Sequence, residues 1–292
     1  VTEAADPAVP FAVVHPLLAW SETELRDLPW RQTRDPWKIL VSEIMLQQTQ
    51  VSRVIDRWHE FLDRFPTATA CADAPTSAVI ELWAGLGYNR RAVNLWRAAV
   101  EVRDLHAGAL PTTVEGLQSL PGVGPYTARA VAAFAYELDV GVVDTNVGRL
   151  LARWTGEQLN AKQAQALADA LVPTGNGWRW NQSLFDFAVA VCAKKTPDCA
   201  NCPLRSACAW SGRGEDPAAG SAGVSGGQGR FQGSDRQVRG RITDAMRTGP
   251  ILTADLASFG RPDDTEATLR AIVDGLVADG LAVEDAGTLR LP

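Results

Sequence analysis

Along the first two-thirds of the chain, apolar residues recur at intervals of three and four, and no stretch before residue 212 alternates with period two for long enough to make a strand. Leu17, Leu18, Trp20, Leu25 and Leu28 set a helix running from His15 toward Arg31 and ending at the Pro29 break. After Asp35-Pro36, the stretch WKILVSEIMLQQTQVSRVIDRWHEFLDRF keeps the same spacing, which predicts one long helix or two with a turn near Gln47 to Thr49. Further amphipathic helices are expected at about 76–85, 90–104, 114–120, 126–136, 144–154, 161–171 and 180–191, each bounded by Pro, Gly, Thr or Asp. The pattern predicts an all-α fold.

Two stretches break it. Residues 1 to about 15 carry Pro and Ala with little order and read as a loosely packed lead-in. From 212 to 233 the composition turns to Gly, Ser and Ala without periodicity, which predicts a flexible linker, because so little apolar surface does not offset the entropy of ordering. Beyond it, Arg236 to Arg247 and Thr265 to Leu276 read as helices and Leu281 to Leu291 as a hairpin, together a small winged-helix-like module. The expected domains are 1–211, the linker 212–233 and the module 234–292.

Composition adds bounds. At 292 residues the chain has room for one large or two modest domains. No apolar run approaches the length of a membrane helix and the N-terminus lacks a basic start followed by an apolar run, so a soluble cytoplasmic protein without membrane contact is expected. The net charge of −6 taken alone argues against a nucleic-acid partner. Arginines are locally dense, however, at Arg90, Arg91, Arg97 and Arg103, so the total decides little; solvated helix faces are the plain alternative.

Candidate chemistry centres on LPGVGPYTARAVAAFAYELDVGVVDTN, from Leu120 to Asn146. Gly122 and Gly124 allow a tight hairpin whose backbone N–H groups converge on an anion, with the positive end of the next helix beside them. A plain turn is the alternative for such a cluster taken alone. Two carboxylates stand out. Glu43 lies among Ile39, Leu40, Ile44 and Leu46; turned inward it would be desolvated and its pKa raised, as a general acid requires, whereas turned outward it is a solvated helix residue. Asp144 precedes a helical pattern and suits an N-cap, a role compatible with catalysis.

Cys192, Cys199, Cys202 and Cys208 form C-x6-C-x2-C-x5-C. Zinc sites usually pair two close knuckles across a longer stretch, whereas four thiolates within one short loop suit a cubane cluster with one thiolate per iron. Disulfides do not suit a cytoplasmic chain. Cys71 reads as a small buried residue.

Taken together, the PGVG hairpin, Asp144, SEIMLQQTQV around Glu43 and the cysteine run resemble the helix-hairpin-helix DNA glycosylases, and within them the MutY-type adenine glycosylases. The likeness covers about residues 17–210 and is not seen beyond the linker, where that family typically continues into a larger β-rich domain. It implies a helix-hairpin-helix glycosylase fold with a 4Fe-4S cluster in the loop 192–208, held by the four cysteines. It also implies a base-excision-repair enzyme, acting as a monomer on double-stranded DNA, that hydrolyses the N-glycosidic bond of adenine opposite 8-oxoguanine or guanine.

Residue by residue, the likeness assigns Glu43 to protonation of the adenine ring and Asp144 to the oxocarbenium-like sugar, with Asn146 orienting Asp144. Bifunctional relatives carry a Lys just after the hairpin; this chain has Tyr126, which implies a monofunctional enzyme. Gln47, Gln48 and Tyr88 match intercalating positions, and Tyr88 suits a core-packed helix end equally well. Arg26, Trp30 and Arg31, with Asp186, resemble the pocket for the extruded base, and Lys194 and Lys195 are expected to face phosphate. A thymine or uracil mismatch glycosylase on the same scaffold, or a non-catalytic cluster-bearing DNA-binding protein, remain the alternatives.

Overall fold

The computed structural model describes residues 10–221 and 229–292. The helices are α1 (Val14–Glu24), α2 (Pro36–Leu46), α3 (Val51–Arg64), α4 (Ala68–Ala72), α5 (Thr76–Leu82), α6 (Arg90–Leu105), α7 (Val114–Ser119), α8 (Pro125–Ala135), α9 (Thr145–Thr155), α10 (Ala161–Leu171) and α11 (Gly177–Ala190). The tail adds α12 (Asp235–Thr248), β1 (Ile251–Leu252), a 3-10 helix (Thr253–Phe259), α13 (Glu266–Ala278), β2 (Val283–Asp285) and β3 (Thr288–Arg290). The long apolar run is thus two helices, with the break at residues 47–50. The first helix stops at Glu24, earlier than its apolar spacing suggests, because Leu25 is extended and Pro29 opens a separate 3-10 turn.

The chain divides into two compact units, each assembled from separate stretches. One contains the described residues of Val1–Pro36, Thr112–Val114 and Gly124–Gly227. Its core is built by Leu17, Leu150, Leu151, Trp154, Trp180, Leu184 and Phe187, with Trp20 standing edge-on to Phe187 at 5.1 Å. Helix α9 starts at the Asp144 cap and stops at Gly156, whose φ of +74° is the left-handed conformation that ends helices.

Residues 212–221, expected as linker, are packed against this unit. The Arg153 guanidinium, 1% exposed, meets Asp216 at 2.6 Å, Gln158 donates to the Ala219 carbonyl, and the Leu159 N–H donates to Ser221. One buried arginine in need of a carboxylate outweighs the weak apolar content of the stretch. The rest of the linker expectation falls partly on residues 222–228, and most of the lead-in on residues 1–9, which lie outside the described residues.

The second unit holds Trp37–Pro111, Glu115–Val123 and the described residues of Gln228–Pro292, so the tail is part of a larger body rather than a domain of its own. Helix α2 is buried nearly all round, from Trp37 through Met45, as a helix apolar on every face must be. Indole N–H groups fasten its start, Trp37 to the Phe65 carbonyl at 3.0 Å and Trp58 to that of Lys38 at 2.9 Å. In the tail, Val238, Ile242 and Met246 on α12 and Leu269, Val273 and Leu276 on α13 are buried at helical spacing. The sheet runs β1-β3-β2, antiparallel throughout, and the β2–β3 hairpin turns at Ala286 and Gly287, both at positive φ.

Candidate active site

In the second unit, Glu43 on α2 is 6% exposed and so is turned away from solvent. Just beyond lies the 47–50 turn, with Gln47 half-buried and Gln48 exposed at φ +57°. Tyr88 sits in a second turn of the same kind, at φ +48° and 39% exposed. Left-handed backbone at a non-glycine residue costs of order 1–3 kcal/mol and persists only where neighbours enforce it. Both turns are tied by Arg91, for which a solvated helix face was the plain alternative in sequence and which is in fact 9% exposed. Its Nη1 donates to the carbonyls of Ile44 and Met45, at 2.7 and 2.9 Å. Nη2 donates to Thr49 Oγ1 and to the carbonyls of Leu86 and Gly87, at 2.9 to 3.0 Å. One guanidinium therefore ties the end of the Glu43 helix to both turns. Two other arginines of the run are engaged as well: Arg90 pairs with Asp279, and Arg103 with Asp73 and Asp104.

At the hairpin, the two glycines differ. Gly122 has φ +75°, and a Cβ there would meet Asn94 Cβ at 2.5 Å, so nothing larger fits without displacing α6. Gly124 caps α8 at φ −84° with open space around a built Cβ; its conformation, contrary to expectation, is open to any residue. Both glycines are exposed. Tyr126, in the first turn of α8, is half-buried with its ring 6.5 Å from that of Phe185.

In the first unit, Asp144 is the N-cap of α9. Its Oδ1 accepts from the backbone N–H groups of Asn146 and Val147 at 2.8 and 2.7 Å, and its Oδ2 accepts from Asn146 Nδ2 at 2.7 Å. Three donors fix the carboxylate plane. Asn146 is held in turn by Arg149, whose Nη1 donates to Asn146 Oδ1 at 3.0 Å while Nε and Nη2 donate to the carbonyls of Cys192 and Ala188. Arg149 is 4% exposed and was not singled out by sequence, where an arginine on an amphipathic helix reads as solvated.

Arg26, Arg31 and Asp186 are brought together across more than 150 positions of sequence. Asp186, 2% exposed, accepts from Arg26 N and Nε at 2.8 and 2.7 Å and from Arg31 Nη1 and Nη2 at 2.6 and 2.9 Å. Trp30, between the two arginines, is 7% exposed. Burial alone would raise the Asp186 carboxyl, but the hydrogen bonds from Arg31 and Arg26 outweigh it and hold the group below the usual carboxylate range. A depressed carboxyl contributes stability above its unfolded-state pKa and loses it as pH falls through the lower folded-state value. Asp186→Asn is therefore expected to destabilise the protein by about 3 kcal/mol near neutrality, leaving Arg31 buried without its counter-charge. It should also flatten the acid limb of stability against pH, checked by urea melts across the acid range; an unchanged midpoint would contradict this account.

The four cysteines line one cavity together with Trp154, Phe187, Val191, Pro197 and Trp210. Burial raises the Cys192, Cys202 and Cys208 thiols, that of Cys202 to about 11, so protons compete with any metal there. Among the described residues, no three His, Cys, Asp or Glu groups close on a single ion. Four thiols lining one cavity fit a cluster in which each thiolate would take its own iron. Arg153 fastens the loop through Cys192 Sγ at 3.2 Å and the carbonyls of Cys192, Ala193 and Lys194. Gly212, at φ +81°, leaves room that a Cβ would take 3.1 Å from Cys199 Sγ. Lys194, Lys195 and Arg205 are exposed on the same loop.

Helices flanking a glycine hairpin, a capped aspartate and a four-cysteine loop define a class, and the HhH-GPD superfamily of base excision DNA repair proteins matches residues 41–174. The adenine DNA glycosylase of Mycolicibacterium smegmatis is 39% identical over 277 residues, 92% of each chain. That of Mycobacterium tuberculosis H37Rv is 41% identical over 286 residues, covering 94% of this chain and 92% of the relative. Among solved structures, a thermostable thymine-DNA glycosylase matches with a TM-score of 0.67 at 32% identity, covering 70% of this chain and 96% of that one. The chain belongs to the HhH-GPD superfamily, and within it to the adenine DNA glycosylases. Kinship also extends past the linker, where sequence patterns gave none, since the part unmatched by the mycobacterial proteins is shorter than the stretch after residue 233.

Proposed function

We propose that the protein is a monofunctional DNA glycosylase that hydrolyses the N-glycosidic bond of adenine mispaired with 8-oxoguanine or guanine and leaves an abasic site. The observation that carries the reading is the 39% identity to an adenine DNA glycosylase along 92% of both chains, against 32% identity over 70% of this chain for the thymine-DNA glycosylase. In this reading Glu43, buried on α2, protonates the departing base. Asp144, its carboxylate oriented by three N–H donors, opposes the positive charge that builds on the sugar. Asn146 positions that carboxylate. Tyr126 stands where a Schiff-base lysine would be needed for strand cleavage.

Gln47, Gln48 and Tyr88 supply the wedge that fills the gap left by an extruded adenine. Arg26, Trp30 and Arg31, oriented by Asp186, receive the base. Gly122, Gly124, Lys194 and Lys195 hold phosphate. Cys192, Cys199, Cys202 and Cys208 hold a 4Fe-4S cluster, whose contribution when bound is to cross-link the 192–208 loop. The chain's own residues keep that loop's lysines exposed and its arginine anchors buried.

The test is single-turnover base release from A:8-oxoguanine, A:G and T:G duplexes. Adenine release without strand cleavage or a borohydride-trapped adduct is expected, and release of thymine alone would overturn the reading. Cys202→Ser is expected to remove the visible absorbance and iron content of the purified protein; a colourless wild type containing zinc would overturn the cluster assignment.

A further inference from the structure

We propose that the tail acts on catalysis by bracing the Tyr88 turn through Arg236, and not by reading DNA itself. The inference rests on Tyr88 being part of the wedge. Arg236, in the first turn of α12, donates from Nη1 to Tyr88 Oη at 2.6 Å and places its guanidinium carbon 5.8 Å from the centre of the Tyr88 ring. One planar cation thus engages the hydroxyl edge of the ring.

Other contacts from the tail fall on the same short stretch. Arg247 donates from Nε and Nη2 to the Ile80 carbonyl, at 3.2 and 3.1 Å, and from Nη2 to Asn89 Oδ1 at 3.1 Å. Asp279 pairs with Arg90 at 3.4 Å. Gly280, at φ +76°, lies so close to α6 that a Cβ would approach Arg97 Nη2 to 3.0 Å. The Ser77 N–H donates to the Pro292 carbonyl at 3.2 Å. The tail therefore grips α5, the turn that carries Tyr88 and the first turns of α6. A side chain that must enter a duplex works best when its conformation is fixed before the encounter, since the ordering entropy is then already spent.

A direct reading role fits the tail poorly. In a helix-and-sheet unit of this order, α13 would be the helix offered to a groove. Its cation Arg270 is taken up by Asp274 at 2.8 Å and Glu284 at 2.5 Å, and Glu266 and Asp274 add negative charge to the exposed side. Elsewhere in the tail, Arg239 pairs with Asp279, and Arg261 with Asp235 and Asp264. Phosphate binding asks for cations without intramolecular counter-charges, and α13, whose one basic residue is Arg270, offers none.

The test compares full-length wild type, Arg236→Ala, Arg236→Lys, Tyr88→Phe, the Arg236→Ala/Tyr88→Phe double variant and the tail control Arg270→Ala. Two signals are read: fluorescence of 2-aminopurine in the target position, which reports unstacking without cleavage, and single-turnover adenine release. Arg236→Ala is expected to slow both by about five- to tenfold, the size of one partly exposed charge-assisted hydrogen bond, with duplex affinity little changed. Tyr88→Phe should do the same, the double variant should be no worse than either single one, Arg236→Lys should recover part of the loss, and Arg270→Ala should match wild type. Wild-type unstacking in Arg236→Ala, or losses that multiply in the double variant, would overturn the bracing. A wild type that releases no adenine while unstacking still depends on Arg236 would sink the proposed reaction alone; adenine release indifferent to Arg236 would sink the bracing alone.

Discussion

Glu43→Gln is expected to lower single-turnover adenine release by roughly 10²–10⁴-fold, the usual contribution of a general acid. Binding to the mismatch should change little. A purine leaves the sugar as a poor anion unless it is protonated, and a carboxamide of the same shape has no proton of useful acidity. The site suits this comparison because Glu43 is only 6% exposed in a helix buried nearly all round, so glutamine keeps the packing and brings no new charge. The melting temperature should therefore stay close to that of wild type, separating lost chemistry from lost structure. Asp144→Asn makes the companion measurement. An amide oxygen can still cap α9 through Asn146 N and Val147 N, so the fold should survive while the negative charge proposed to oppose the cationic sugar is lost. A Glu43→Gln enzyme turning over near the wild-type rate would remove Glu43 from the reaction.

What could be read from sequence divides along physical lines. Helices α6 and α10 were legible to within a residue, because their apolar faces repeat cleanly and Asn160 with Gln163 writes a capping box at the start of α10. The capping role of Asp144 was legible for the same reason: the chemistry is local. The burial of Glu43 was not, since a helix apolar on every side gives periodicity no wet face to point to. Arg91, Arg149 and Arg153 were misread or passed over because arginine is counted as a surface residue, and each of the three is drawn inward by at least one carbonyl or carboxylate far away in sequence. The same distance hid the pairing of Arg26 and Arg31 with Asp186, although each had been proposed for one pocket through family likeness. In the tail, the two helices and the β2–β3 hairpin carried a pattern. The two-residue strand β1 and the 3-10 helix after it carried none, being too short for any period to show. The packing of residues 212–221 was not legible because Asp216 and Ser221 are held by polar contacts, to which composition is blind.

Arg91→Met is expected to be among the most damaging single changes in the second unit, lowering stability by about 2–4 kcal/mol and adenine release by more than the stability loss explains. Methionine can occupy the stem's volume and removes a cation whose pKa burial has already lowered to about 10, so part of the loss is offset. It cannot replace the donors. The carbonyls of Ile44, Met45, Leu86 and Gly87 would each lose the Arg91 guanidinium as donor, and the Thr49 hydroxyl would lose its link to α6. Gln48 and Tyr88 would then lack the tie that keeps their turns in the left-handed region, and the chain would relax toward ordinary backbone. Arg91→Lys should recover little, because one ammonium lacks the planar fork needed to reach the end of α2 and both turns together. Urea melts give the stability term. The activity term comes from single-turnover release at saturating enzyme under conditions where the variant is fully folded, together with 2-aminopurine unstacking. If folded Arg91→Met unstacks and releases adenine at the wild-type rate, Arg91 serves only the fold, and the geometry of the two turns is set by something else.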